Sequence, residues 1–152
     1  LEQVGRADLA GKLANANAKL AYQQYLEVFS GERWERLAGA GATPQRCLWA
    51  STSTKNPAYR DVLYVEELIG PETVNTMPFE TIVAFQGHGE IRGDTLLEGV
   101  DVARPLLDEL AKAGVDYVDV VDTLEREGVE KFAESFRQLL AGIEARRAAL
   151  AV

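Results

Sequence analysis

Residues 47–57 read Cys47-Leu48-Trp49-Ala50-Ser51-Thr52-Ser53-Thr54-Lys55-Asn56-Pro57. The first five are short-chain strand material, nearly all apolar. A Gly/Pro loop, Gly39 to Pro44, bounds them on one side and polar residues bound them on the other. This pattern predicts a strand buried on both faces, as in a parallel sheet. Thr73-Val74-Asn75-Thr76-Met77, stopped at Pro78, reads as a second short strand. Between the two, Asp61 to Ile69 reads as a short helix ended by Gly70-Pro71. Strand, helix and strand make a βαβ-type unit and place the chain in the α/β class.

Working outward, the flanks read as helices. Asp8 to about Phe29 carries Leu9, Leu13, Leu20 and Leu26 at broadly helical spacing, with Ser30-Gly31 as the stop. Glu32 to Ala38 is a shorter helix with Trp34 and Leu37. Phe79 to Phe85 is another, followed by a turn at Gln86-Gly87-His88-Gly89. Three more helices are expected after it. The first has Asp101 as N-cap, Pro105 near its start and Gly114 at its end. The second is capped by Asp116 and stopped at Gly128. The third places Val129, Phe132, Phe136, Leu139, Leu140 and Ile143 on one stripe. No internal repeat or low-complexity segment is present. Two strands cannot complete a parallel sheet, because their outer edges would leave N–H and C=O groups unpaired. Part of the sheet is therefore expected upstream of Leu1, and the isolated chain is expected to be mostly helical.

Composition narrows the function. The chain has 152 residues, a formal net charge of −8, 47% hydrophobic and 26% charged residues. That is a globular composition of single-domain length, not a disordered tail. The acid excess argues against nucleic-acid binding, which needs basic surface to displace phosphate counterions. One cysteine, Cys47, and one histidine, His88, leave no disulfide framework and no His/Cys metal cage. No apolar run approaches the roughly 20 residues of a membrane span. The chain opens on Leu1 with no signal-peptide pattern, so a cytoplasmic setting is expected. Whether Leu1 begins a whole protein or the tail of a longer one is open at this point.

The chemistry-bearing candidate is the loop after the first strand. In α/β architectures ligands bind outside the carboxyl ends of parallel strands. Four hydroxyls (Ser51, Thr52, Ser53, Thr54), one cation (Lys55) and one amide (Asn56) leave the strand there. Hydroxyl and backbone donors with a lysine charge suit a phosphate. A polar turn with a solvated Lys55 is the plain alternative. Lys55 as a Schiff-base nucleophile is a third reading, although that chemistry needs a desolvated lysine and this setting is wet. Elsewhere His88 reads as a surface-loop histidine, with a general acid–base role as its alternative. Cys47 reads as an inert core residue, Glu66-Glu67 as a solvated helix face, and Trp34 and Trp49 as packing residues. No Walker loop, Rossmann glycine fingerprint or HExxH is present.

Leu48 to Tyr59, followed by Leu63-Tyr64-Val65-Glu66-Glu67-Leu68-Ile69-Gly70 and Val74-Asn75-Thr76-Met77-Pro78, closely resembles the bacterial transaldolases. The narrower likeness is to the long bacterial type that is sometimes fused to glucose-6-phosphate isomerase. Leu20-Ala21-Tyr22 and Leu124-Glu125-Arg126-Glu127-Gly128-Val129-Glu130-Lys131-Phe132 agree with it. The resemblance implies a (β/α)₈ TIM-type barrel of about 250 residues. This chain would be its C-terminal part, with strands seven and eight. Residues 1–92 would belong to the barrel and residues 93–152 to a C-terminal helical extension packed on it.

The resemblance further implies transfer of a dihydroxyacetone unit from sedoheptulose 7-phosphate to glyceraldehyde 3-phosphate through a lysine Schiff base. No cofactor and no metal would be needed. The Schiff-base lysine belongs to the family's fourth strand, and no matching segment occurs here, so this chain alone is expected to be inactive. Ala50-Ser51 matches the family's Ala-Ser of the seventh strand, and Lys55 is its expected cation after an apparent insertion. Ser51, Ser53, Thr54 and Lys55 are thus the implied substrate phosphate-binding residues. A sugar phosphate is the implied partner, with no nucleic acid and no membrane. The N-terminal barrel portion, or another copy of the chain, is the expected protein partner. The rival reading is a non-catalytic helical interaction module.

Overall fold

Cys47–Trp49 (β1) and Thr73–Asn75 (β2) meet as a parallel pair in the computed structural model, which describes Leu1 and residues 5–150. The register aligns Cys47 with Thr73, Leu48 with Val74 and Trp49 with Asn75. Parallel strands need a crossover, and Leu63–Glu67 (α3) supplies it. The remaining helices are Leu13–Val28 (α1), Gly31–Gly39 (α2), Phe79–His88 (α4), Val100–Lys112 (α5) and Tyr117–Leu150 (α6). Short 3₁₀ turns lie at Ala7–Leu9 and Thr95–Leu97. The chain divides into two compact units, Leu1–Glu109 and Leu110–Val152.

The first unit packs around Tyr22, Leu68 and Leu96. Tyr22 is 1% exposed and Leu96 is fully enclosed, so the apolar centre lies between α1, the end of α3 and the Thr95–Leu97 turn. Ala18, Tyr25, Cys47, Trp49 and Tyr64 pack against it, which seats β1 on that core. The Tyr22 hydroxyl donates to the Pro71 carbonyl at 3.1 Å and ties α1 to the approach to β2. A ladder of rings carries packing on to α2. Tyr22 stacks on Tyr25, Tyr25 meets Phe29, and Phe29 meets Trp34 edge-on at 4.8 Å.

An ion pair between a buried carboxylate and an exposed arginine fastens α3. Glu66, 4% exposed, accepts from Arg60 Nε at 2.8 Å and from Arg60 Nη2 at 2.9 Å. The Glu90 N–H donates to the same carboxylate at 2.9 Å. The Glu66 carbonyl accepts from the Thr95 hydroxyl at 2.7 Å, and Thr95 Oγ1 in turn accepts from the Ile69 N–H at 3.0 Å. Glu67 bridges Lys19 of α1 at 3.0 Å and Arg92 at 2.7 Å. The expected solvated face at Glu66-Glu67 is therefore overturned. Arg60, Lys19 and Arg92 are all placed to compensate charges that the packing takes out of water.

Several expected boundaries move for local reasons. The first helix starts at Leu13, not Asp8, because Gly11 takes φ +76° and turns the backbone against the Tyr59 ring. The first strand is three residues long and is not buried on both faces; Leu48 is 54% exposed. The helix after β2 continues to His88, so the histidine ends a helix rather than occupying a turn. Asp101 lies inside the first turn of α5, not at its N-cap, and Pro105 lies in its interior. There the proline ring removes the N–H that would meet the Asp101 carbonyl.

Among the described residues two helices follow α4 rather than three. Gly128 does not stop the last one, which runs 34 residues. A helical glycine costs about 1 kcal/mol relative to alanine, too little to break a helix with several turns on either side. Gly114 (φ +83°) does end α5. Asp116 does cap α6, its Oδ1 accepting from the Val118 N–H at 2.9 Å and from the Asp119 N–H at 3.2 Å. The stripe from Val129 to Ile143 is present on α6, and all six of its apolar residues are exposed.

Two outcomes follow from this packing. Leu96→Ala should lose about 2–5 kcal/mol, the range for deleting a fully buried leucine, read from urea midpoints. Arg60 holds the Glu66 carboxyl below the usual glutamate range of about 4.3. A folded-state value that is depressed contributes stability above the ordinary value and loses it as pH falls further, through the folded-state value. Urea midpoints taken from pH 7 to pH 3 should therefore fall more steeply in the wild type than in Glu66→Gln.

Candidate functional site

The parallel register decides what gathers at the strand ends. Trp49 and Asn75 are partners, so the residues after each strand leave side by side. The Thr76 N–H donates to the Trp49 carbonyl at 2.9 Å, and the Thr52 N–H donates to the Thr76 carbonyl at 3.2 Å. The Ser51 N–H donates to Thr76 Oγ1 at 3.3 Å. Thr52 is 5% exposed, and its hydroxyl donates to Asn75 Oδ1 at 2.7 Å. The loop is thus stitched to the second strand.

Ser51 holds φ +55°, in the left-handed region. For a residue with a Cβ this costs about 1–2 kcal/mol. The kink ends β1 and turns the chain into the polar run. Ser51 is exposed, Ser53 and Thr54 are half-buried, and Lys55 and Asn56 are exposed. Lys55 Nζ donates to Ser53 Oγ at 2.7 Å. Asn56 folds the exit of the loop, its Oδ1 accepting from the Ala58 N–H at 2.9 Å. Residues 51–57 include one cation and no carboxylate, so the segment is locally positive in an acidic chain.

Beside the loop lies a cleft of about 340 Å³ that includes Asn15, Trp49, Ala50, Ser51, Thr52 and Tyr64 in its lining. That volume lies within the range of small-molecule sites. Two lining residues hold a buried polar atom with no hydrogen-bond partner among the described residues, Asn15 Oδ1 and Trp49 Nε1. Buried polar atoms are nearly always paired, and these two are exceptions. Trp49 packs against the core as expected.

Of the sequence candidates, Ser51, Ser53, Thr54 and Lys55 do share one loop, and Lys55 and Ser53 touch. Lys55 is exposed in this chain. His88 forms no part of this loop. Its Nε2 lies 2.8 Å from Asp61 Oδ1, and that contact holds the Asp61 carboxyl below its usual range. Cys47 is half-buried, and burial pushes its thiol pKa up. Asn75 and Thr76 escape a reading of one strand at a time. Their signal is two polar residues closing the second strand just as Ser51 closes the first. Among the described residues no cluster of His, Cys, Asp and Glu could hold a metal ion. No described helix is long and apolar enough to cross a membrane.

The fold and loop define an α/β protein with a βαβ unit and an anion-suited loop at the carboxyl end of its first strand. Residues 2–143 match the sequence model of the family described as transaldolase/fructose-6-phosphate aldolase. The chain is 58% identical over 132 residues to a transaldolase of Parafrankia sp. (strain EAN1pec), covering 87% of this chain and 36% of the relative. It is 54% identical over 145 residues to the transaldolase of Acidothermus cellulolyticus, covering 94% and 39% respectively. For the transaldolase of Thermobifida fusca the figures are 56% over 132 residues, 87% and 36%. The chain belongs to the transaldolase/fructose-6-phosphate aldolase family. It spans between 36% and 39% of the length of these relatives.

The strain at Ser51 gives a direct check. Ser51→Gly should leave thermal stability unchanged or raise it by up to about 1 kcal/mol, because glycine adopts φ > 0 freely but has more unfolded-state entropy to lose. Ser51→Val should lower it by more than about 1 kcal/mol, since a β-branched side chain is an outlier there. Thermal unfolding of the two variants beside wild type decides.

Proposed function

We propose that this chain is the C-terminal portion of a transaldolase and supplies the substrate's phosphate seat. β1 and β2 correspond in this reading to strands seven and eight of a (β/α)₈ barrel. Residues 1–92 belong to that barrel and residues 93–152 form a C-terminal helical extension. The protein partner is the rest of the barrel. The reaction is transfer of a dihydroxyacetone unit between sugar phosphates, in the cytoplasm. The Schiff-base lysine lies on another segment, and no metal or organic cofactor takes part.

The observation that carries the reading is the loop itself. A strand carboxyl end presents the Ser51, Ser53 and Thr54 hydroxyls with Lys55 in one turn of chain, and Lys55 already contacts Ser53. A phosphate dianion accepts from hydroxyl and backbone donors and needs a compensating cation. In this reading Lys55 binds the phosphate and does not form the imine, which belongs to the Schiff-base lysine of the other segment. The seat orients the phosphate end of the sugar while the chemistry proceeds at the carbonyl end.

Lys55→Ala in the full-length gene product tests this. Loss of a charge-assisted contact costs about 1.5–3 kcal/mol, or roughly ten- to hundredfold in affinity. KM for phosphorylated sugars should rise by that factor, with less effect on unphosphorylated dihydroxyacetone as donor. Borohydride should still trap the imine. An unchanged KM returns Lys55 to a solvated turn, and loss of trapping in a folded variant makes it the nucleophile.

A further inference from the structure

Among residues 51–56 only Thr52 is buried. Its hydroxyl is engaged within the chain, with the Thr76 carbonyl at 3.4 Å as a second acceptor. Its short bond crosses to Asn75 Oδ1, on the last residue of β2. The 2.7 Å separation is typical of a good O–H···O bond. Three further bonds run alongside it, from the Thr52, Ser51 and Thr76 N–H groups, and all of them involve Thr76. Ser51 sits at the centre of this set with its positive φ. A strained backbone of that kind persists only where its surroundings over-determine it.

We infer that the Thr52–Asn75 side-chain pair is a positioning clamp that holds Ser51 in its left-handed conformation and so aims the Ser51 hydroxyl at the phosphate. Thr52 and Asn75 are positioning residues and do not touch the anion. The inference rests on the phosphate-seat reading and adds the second strand to it. The seat is then a two-strand construction, and the hydrogen of the Thr52 hydroxyl is the part that matters. Serine keeps that hydrogen. Valine keeps the shape without it.

The test uses the full-length gene product, with inorganic phosphate as an inhibitory probe. Thr52→Val should weaken inorganic phosphate by about three- to tenfold, the factor for one ordinary hydrogen bond, and Thr52→Ser should restore it. KM for a phosphorylated sugar should rise with it, while kcat and the KM for unphosphorylated dihydroxyacetone hold. If Thr52→Val does not fold, Asn75→Leu breaks the same bond from the other strand and is read in the same way. Wild-type phosphate affinity in the folded variant overturns the clamp. So does equal loss for serine and valine, or an equal change for phosphorylated and unphosphorylated substrates. Lys55→Ala, run alongside, separates the two ideas. Weakening by Lys55→Ala but not by Thr52→Val sinks the clamp and leaves the seat; weakening by neither sinks both.

Discussion

The buried Glu66 carboxylate is the group around which the first unit closes. An unpaired carboxylate out of water is disfavoured by several kcal/mol, so its neighbours must come to it. Arg60 reaches it with a two-pronged contact and the Glu90 N–H adds a third donor. Those partners lie on opposite sides of it in sequence, so satisfying one charge draws the chain before α3 and the chain after α4 together. Thr95 then bonds the Glu66 carbonyl, and the next residue, Leu96, donates its N–H to Ile69. Leu96 is thereby set into the apolar centre beside Tyr22 and Leu68. Electrostatics fixes the frame, and hydrophobic burial fills it.

From that centre the order runs outward to the strand ends. The Tyr22 hydroxyl holds Pro71, two residues before β2 begins, and Cys47 and Trp49 of β1 rest on the same core. The two strands are thus presented in a fixed register. Because they are parallel, both chains emerge at one end, and the polar residues after Trp49 and Asn75 are forced to share space. The bonds between Ser51, Thr52, Asn75 and Thr76 are the result. The loop's chemistry depends on the core through the register, not through any direct contact of loop and core charge.

What a linear reading recovers here is whatever is written locally. The two short strands, the crossover helix, the Asp116 cap and the Gly114 stop all depend on neighbouring residues, and all are present. The hydroxyl and lysine run after β1 is local too, and so is its family resemblance. What a linear reading misses is long-range. Glu66 has the sequence neighbourhood of a surface residue; only its meeting with Glu90 and Thr95 buries it. Asn75 and Thr76 become part of the loop only once the strands are in register. Gly128 reads as a stop because a glycine's local penalty is visible, while the cooperative gain of a long helix is not.

Cys47 carries a consequence of a different sort. It is the one thiol in the chain, it stands in β1, and its partial burial pushes the thiol pKa up from its ordinary range. The thiolate is the reactive form, so an alkylating reagent meets a sluggish target while β1 is docked. Once the strand lifts from Tyr22 and Leu68, the same sulfur is exposed and ionises in the ordinary range. The rate of labelling at this single atom thus reports how firmly β1 is docked, at the element that leads into the polar loop.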